Sequence, residues 1–131
     1  MNIVISNTHY LAAAALFQAV GDVRYFLNGV YIAPAEKGAD IVATNGHALI
    51  HIHDKNAHGV TEPVILSGLK FAALKKKSYG DAPCTLSADE TNSAAVLKTI
   101  EGTLFALGIV DGTFPDWERV INDCDDSLPR S

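Results

Sequence analysis

A chain of 131 residues, 48% of them apolar, is long enough for one domain with a continuous core and too short for two ordinary ones. Its formal charge of −5 excludes a surface coated in nucleic acid, while leaving room for a local basic patch. The longest apolar run, Tyr10 to Phe17, has eight residues, too few to cross a membrane, and no basic segment with a signal-like core precedes it; a soluble, cytoplasmic protein without membrane contact is expected.

Met1 to Ile5 reads as a short buried strand. Ser6-Asn7-Thr8 then offers helix N-caps, and Ala12, Ala15, Leu16, Ala19 and Val20 recur at helical spacing up to a stop at Gly21. Between Asp22 and Asp54 the composition changes. Val23 to Ile32 is rich in aromatic and β-branched residues, and Ile41 to Ile50 is split by Asn45-Gly46, a pair that tolerates positive φ at both centres of a tight hairpin turn. An antiparallel meander follows, with strands near 23–33, 39–45 and 48–54, divided by Pro34 to Gly38 and by the Asn45-Gly46 turn. The polar stretch Asp54 to Glu62 closes the first half.

From Pro63 the order starts again. Val64-Ile65-Leu66-Ser67 repeats Ile3-Val4-Ile5-Ser6 at an offset of 61 residues, each an apolar strand ending in a helix-capping Ser. Leu69 to Ser78 reads as a second helix stopped by Gly80, with strands near 83–88, 94–99 and 103–109 beyond it. The expected fold is α+β: a duplicated β-α-β-β-β unit with two helices on one face of antiparallel sheet. Neither copy could bury both its helix and its sheet alone, so residues 1–121 are expected to form one domain, with halves near 1–60 and 61–121. The acidic stretch 122–131 reads as a linker-like tail.

Little suggests catalysis. Cys84 and Cys124 lack CxxC spacing, so neither a disulfide framework nor a metal site is indicated. His51 and His53 share a strand face beside His47, but no Asp, Glu or Cys joins them at ligand spacing along the chain. No Gly-x-Ser-x-Gly, Gly-x-x-x-x-Gly-Lys or His-Glu-x-x-His occurs. No catalytic residue, metal or cofactor is expected. Two stretches have both a structural and a functional reading. Lys70, Lys75, Lys76 and Lys77, with no acid between Ser67 and Gly80, are either a solvated helix end or a sequence-blind contact to phosphates, which Arg24 and Tyr25 could extend. The segment Asp111 to Val120 is either an arm that packs Phe114 and Trp117 on the sheet or the wall of an apolar groove.

The succession Arg24-Tyr25-Phe26-Leu27-Asn28-Gly29, then Val42-Ala43-Thr44-Asn45-Gly46-His47, then Asp111-Gly112-Thr113-Phe114-Pro115-Asp116 closely resembles the middle domain of the bacterial DNA polymerase III beta sliding clamp. The resemblance runs from the first strand to about Ile121. It implies the DNA-clamp fold, with helices toward duplex DNA, and a non-catalytic processivity factor. It further implies a hydrophobic groove for linear peptides of replicative and repair DNA polymerases or the clamp loader, at Leu27, Thr44, Gly46, His47, Leu49, Pro115 and Val120. At DNA-facing positions the resemblance keeps Arg24 and Tyr25, and together with the run Lys70, Lys75, Lys76 and Lys77 they would contact double-stranded DNA without sequence specificity. Asn45, Ala48 and Phe26 depart from the family's common Asp, Arg and Tyr, which removes one charge of each sign beside the groove. The family's first and last domains have no counterpart in these 131 residues, so a ring is expected either from a head-to-tail homo-oligomer or from a longer clamp of which this chain is an excised piece. The alternative is a stand-alone module that captures such peptides without encircling DNA.

Overall fold

The computed structural model describes residues 2–19, 28–88, 94–110, Phe114 and Trp117. In chain order these form β1 (Asn2–Ile5), α1 (Thr8–Ala15), β2 (Val30–Pro34), β3 (Ala39–Thr44), β4 (Leu49–Asp54), β5 (Val64–Ser67), α2 (Phe71–Leu74), β6 (Cys84–Ala88), β7 (Ala94–Lys98) and β8 (Leu104–Ile109). The β-α-β-β-β order occurs twice, and β3, β4 and β6 to β8 begin and end within one residue of their expected bounds. Val23 to Leu27 and the expected stop at Gly21 lie outside the described residues.

All eight strands join one antiparallel sheet in the order β1-β6-β7-β8-β5-β2-β3-β4. Each half lends its first strand to the other: β1 pairs with β6, placing Ile5 opposite Cys84, and β5 pairs with β2, placing Leu66 opposite Val30. This exchange makes the halves interdependent, because each leaves a strand edge that only the other can satisfy. The two ends of the strand order also meet. Val4 and His58 exchange backbone hydrogen bonds of 2.9 and 3.1 Å. Beside them the buried Asp54 carboxylate accepts from the Ser6 amide at 2.8 Å, the Ser6 hydroxyl at 2.6 Å and the Asn56 amide at 3.0 Å. Three donors offset the cost of taking this carboxylate out of water.

Strand alternation sorts the side chains into two clusters. The larger lies under the helices and draws on both halves: Ile3, Ile5, Leu11, Ile32 and Ile41 pack with Leu66, Leu74, Leu86 and Leu97. Each such side chain contributes on the order of 1.5–3 kcal/mol of burial. The smaller cluster occupies the opposite face, where Val42, Ile65 and Phe114 pack with Tyr31, Leu49, Val110 and Trp117.

Both helices are shorter than expected. Asn7 caps α1, its side chain accepting from the His9 amide at 3.0 Å, but the helix ends at Ala15. There the amides of Leu16 and Phe17 reach back only to Ala13 and Ala14, a tightened last turn that leaves Ala19 buried yet outside the helix. The expected helix over Leu69 to Ser78 is α-helical only at Phe71–Leu74, followed by a 3-10 turn at Lys77–Tyr79. Lys76 between them is extended, with φ −50° and ψ 134°. A continued helix would stack the Lys70 and Lys75-to-Lys77 charges along one rod. The break instead sinks Tyr79 into the core and sends the Lys76 ammonium toward the β7–β8 turn.

Candidate functional site

The outer face of β3 and β4 carries the first group of candidate residues. Directly opposed residues share a face, and the register places Thr44 opposite Leu49, Val42 opposite His51 and Asp40 opposite His53. Thr44 and Leu49 thus lie at the hairpin end of a short apolar and polar column. Leu49 and Val42 join the smaller cluster, where the Tyr31 ring stacks on Phe114 with centroids 4.6 Å apart and planes 9° from parallel. Trp117 lies over His51, with centroids 4.3 Å apart. Phe114 and Trp117 thus pack on the sheet face next to Leu49, while the rest of the segment from Asp111 to Val120 lies outside the described residues.

The connecting loop differs from a two-residue Asn-Gly turn. Because Thr44 pairs with Leu49, four residues, Asn45 to Ala48, make the connection, and only Gly46 has positive φ, at +92°. Asn45 acts through its side chain instead. Its Oδ1 accepts from the amides of His47 at 2.9 Å and Ala48 at 3.0 Å. The Thr44 hydroxyl donates to the Ala48 carbonyl at 2.7 Å and accepts from the Gly46 amide at 3.1 Å. Such side-chain bonds to local backbone hold the loop without help from a partner. They leave Gly46, His47 and Ala48 exposed at the rim, above the half-buried Leu49. Thr44, Gly46, His47 and Leu49 are thus brought together, while Leu27, Pro115 and Val120 lie outside the described residues.

An acid does join the histidines, across the strands rather than along the chain. One oxygen of Asp40 meets His51 Nε2 at 2.8 Å and His53 Nδ1 at 3.0 Å. Linear spacing hid this contact, since Asp40 is eleven residues from His51 and adjacent only through the β3–β4 register. No group of three or more such side chains among the described residues could hold a metal ion.

On the helix side, Lys70, Lys75, Lys76 and Lys77 are all exposed. Lys75 lies over the Phe71 ring at 5.8 Å. Lys76 is engaged more fully: its ammonium donates to Glu101 Oε1 at 2.6 Å and sits 5.7 Å above the Tyr79 ring. The Ser78 hydroxyl donates to the other Glu101 oxygen at 3.1 Å. Bonds from Lys76 and then Ser78 hold the Glu101 carboxyl below its ordinary range, and the Glu101 bond raises the Lys76 ammonium above its own. Arg24 and Tyr25 lie outside the described residues. Beside the lysines, a cleft of about 310 Å³ opens between α2 and β8, lined chiefly by Leu69, Ala73, Leu74, Phe105 and Leu107. It exists because α1 packs across β2, β3 and β4, whereas the shortened α2 packs chiefly on α1. Among the described residues, no helix is long and apolar enough to cross a membrane.

No protein-family model matches the chain, and no curated protein does. Solved structures do. A DNA polymerase sliding clamp from Pseudomonas aeruginosa is 26% identical with a TM-score of 0.63, covering 100% of this chain and 35% of its own. A DNA polymerase III beta subunit clamp from Bartonella birtlesii, bound to griselimycin, is 25% identical with a TM-score of 0.70, covering 91% of this chain and 34% of its own. The chain therefore spans about a third of the clamps it resembles, has the fold of a single clamp domain, and resembles them over nearly its whole length.

Proposed function

We propose that this chain, having the fold of one sliding-clamp domain, works as the middle domain of a DNA polymerase processivity factor. It is a non-catalytic platform whose outer face takes linear peptides of replicative and repair polymerases or of a clamp loader. The observation that carries this reading is the junction of the Thr44–Leu49 hairpin end with the aromatic arm of Phe114 and Trp117. There a dry floor, a self-supporting polar rim and the exposed His47 lie together, which suits an extended peptide with apolar anchors. Leu27, Pro115 and Val120 complete the proposed groove. Lys70, Lys75 and Lys77, with Arg24 and Tyr25, would face double-stranded DNA and contact phosphates without reading bases.

The test is titration of the full chain with a Gln-x-x-Leu-Phe-like peptide. Weak, saturable binding is expected, at micromolar affinity or weaker. Leu49→Asp and Leu27→Asp should each abolish it; unchanged binding in both variants overturns the groove.

A stand-alone peptide-capturing module is the second reading. It is favoured by the net charge of −5 and by an α1 without Lys or Arg, which weaken attraction to DNA on the helix side. Sedimentation separates the two. Self-association into a head-to-tail homo-oligomer supports a ring, while a monomer at high concentration leaves the isolated chain unable to act as one.

A further inference from the structure

We infer that Glu101 withholds Lys76 from phosphate, so that the helix-side strip works with the charges of Lys70, Lys75 and Lys77. This inference rests on the proposed DNA-facing role of that strip. Three features place the acid there by design of the fold rather than by chance contact. The β7–β8 turn is itself fixed, with the Gly102 amide donating to the Thr99 carbonyl at 2.9 Å and the Thr103 amide to the Thr99 hydroxyl at 3.2 Å. Gly102 has φ +85°, a conformation that favours glycine, so the neighbouring Glu101 is presented from a shaped turn. Across from it, the helix breaks at Lys76, and the extended backbone there carries the ammonium to Glu101 while Tyr79 packs underneath.

The pair sums to zero charge where the sequence alone places one of four cations. An exposed ion pair is weak, and a phosphate could displace Glu101 from Lys76. The displaced carboxylate would nevertheless stay within a few ångströms of the phosphate, because its turn is held and Ser78 still donates to it. The repulsion cancels most of what the Lys76 contact would add. Glu101 is in this sense a positioning residue that sets the strength of a sequence-blind surface.

The experiment measures binding of the full chain to a fluorescent duplex across a range of salt. Glu101→Gln is compared with Glu36→Gln, which makes the same change in net charge at an exposed position in the β2–β3 connection. Releasing one cation should steepen the slope of log K against log salt by about 0.9 and tighten binding about fivefold at low salt. Glu36→Gln should change neither, and adding Lys76→Ala to Glu101→Gln should cancel the gain. If the unaltered chain binds with a salt slope but Glu101→Gln behaves like Glu36→Gln, this inference falls and the DNA-facing role stands. If neither the unaltered chain nor Glu101→Gln binds duplex, both fall together.

Discussion

The indole of Trp117 lies 4.3 Å from the imidazole of His51, the two planes tilted by 39°, and this contact sets Trp117 against the outer face of the sheet. Trp117 is the chain's one tryptophan, so its emission reports on the surroundings of that ring, His51 among them. His51→Ala should shift the emission to the red, as one wall of the indole's site is lost and water enters. An unshifted spectrum would mean that the arm is seated by Phe114 on Tyr31 without His51.

The Asp54 carboxylate ties the end of β1 to the end of β4 through three donors. Asp54→Ala strands the Ser6 amide and hydroxyl, and denaturant unfolding should show a loss of about 3 kcal/mol. A loss below about 1 kcal/mol would mean that the Val4–His58 bridge holds the two ends of the sheet by itself.

Two glycines with positive φ test what crowding adds to backbone strain. A Cβ on Gly38, at φ +76°, would stand 1.9 Å from the Asp54 carbonyl oxygen, whereas one on Gly102, at φ +85°, meets nothing within 4 Å. Gly102→Ala should cost about 1 kcal/mol, the conformational penalty alone. Gly38→Ala should cost at least about twice that, because the β2–β3 connection must also move off β4. Equal melting temperatures for the two variants would contradict the close approach.

Burial pushes the Cys84 thiol from an ordinary value of 9.0 up to about 11, with a bond to Thr8 acting in the opposite direction. A raised value in the folded state means that folding favours the protonated form. The associated stability is complete below the unfolded value and is lost as pH rises through the interval between about 9 and about 11. The loss across that interval should be about 2 to 3 kcal/mol, read by denaturant unfolding, and Cys84→Ala should abolish this part of the pH dependence. In a Cys124→Ser background, thiol reagents at neutral pH should label Cys84 only as fast as the protein opens.

Local pattern carried most of the order of elements along the chain. Ile3-Val4-Ile5-Ser6 and Val64-Ile65-Leu66-Ser67 announced the duplication because burial on a sheet demands the same apolar run twice. The ends of α1 and α2 were less legible. Ala19 has helical spacing and is buried, but the chain has already left the helix in a tightened turn. Lys75-Lys76-Lys77 reads as one helical surface, but Tyr79 below and Glu101 across from it decide where the backbone bends. The second of these, Glu101, is 25 residues from Lys76 in the chain.

The sequence by itself determined the duplicated unit, the alternation that gives each strand an inner and an outer face, and the hairpin that presents Thr44 and Leu49. These follow from periodicity and turn chemistry, which act over a few residues. Only the tertiary structure decided which strands exchange between the halves, that Asp40 closes on His51 and His53, and that Glu101 claims Lys76. Those pairings arise from register and from turns meeting across the fold, where residues far apart in the chain become neighbours and their charges act at contact distance.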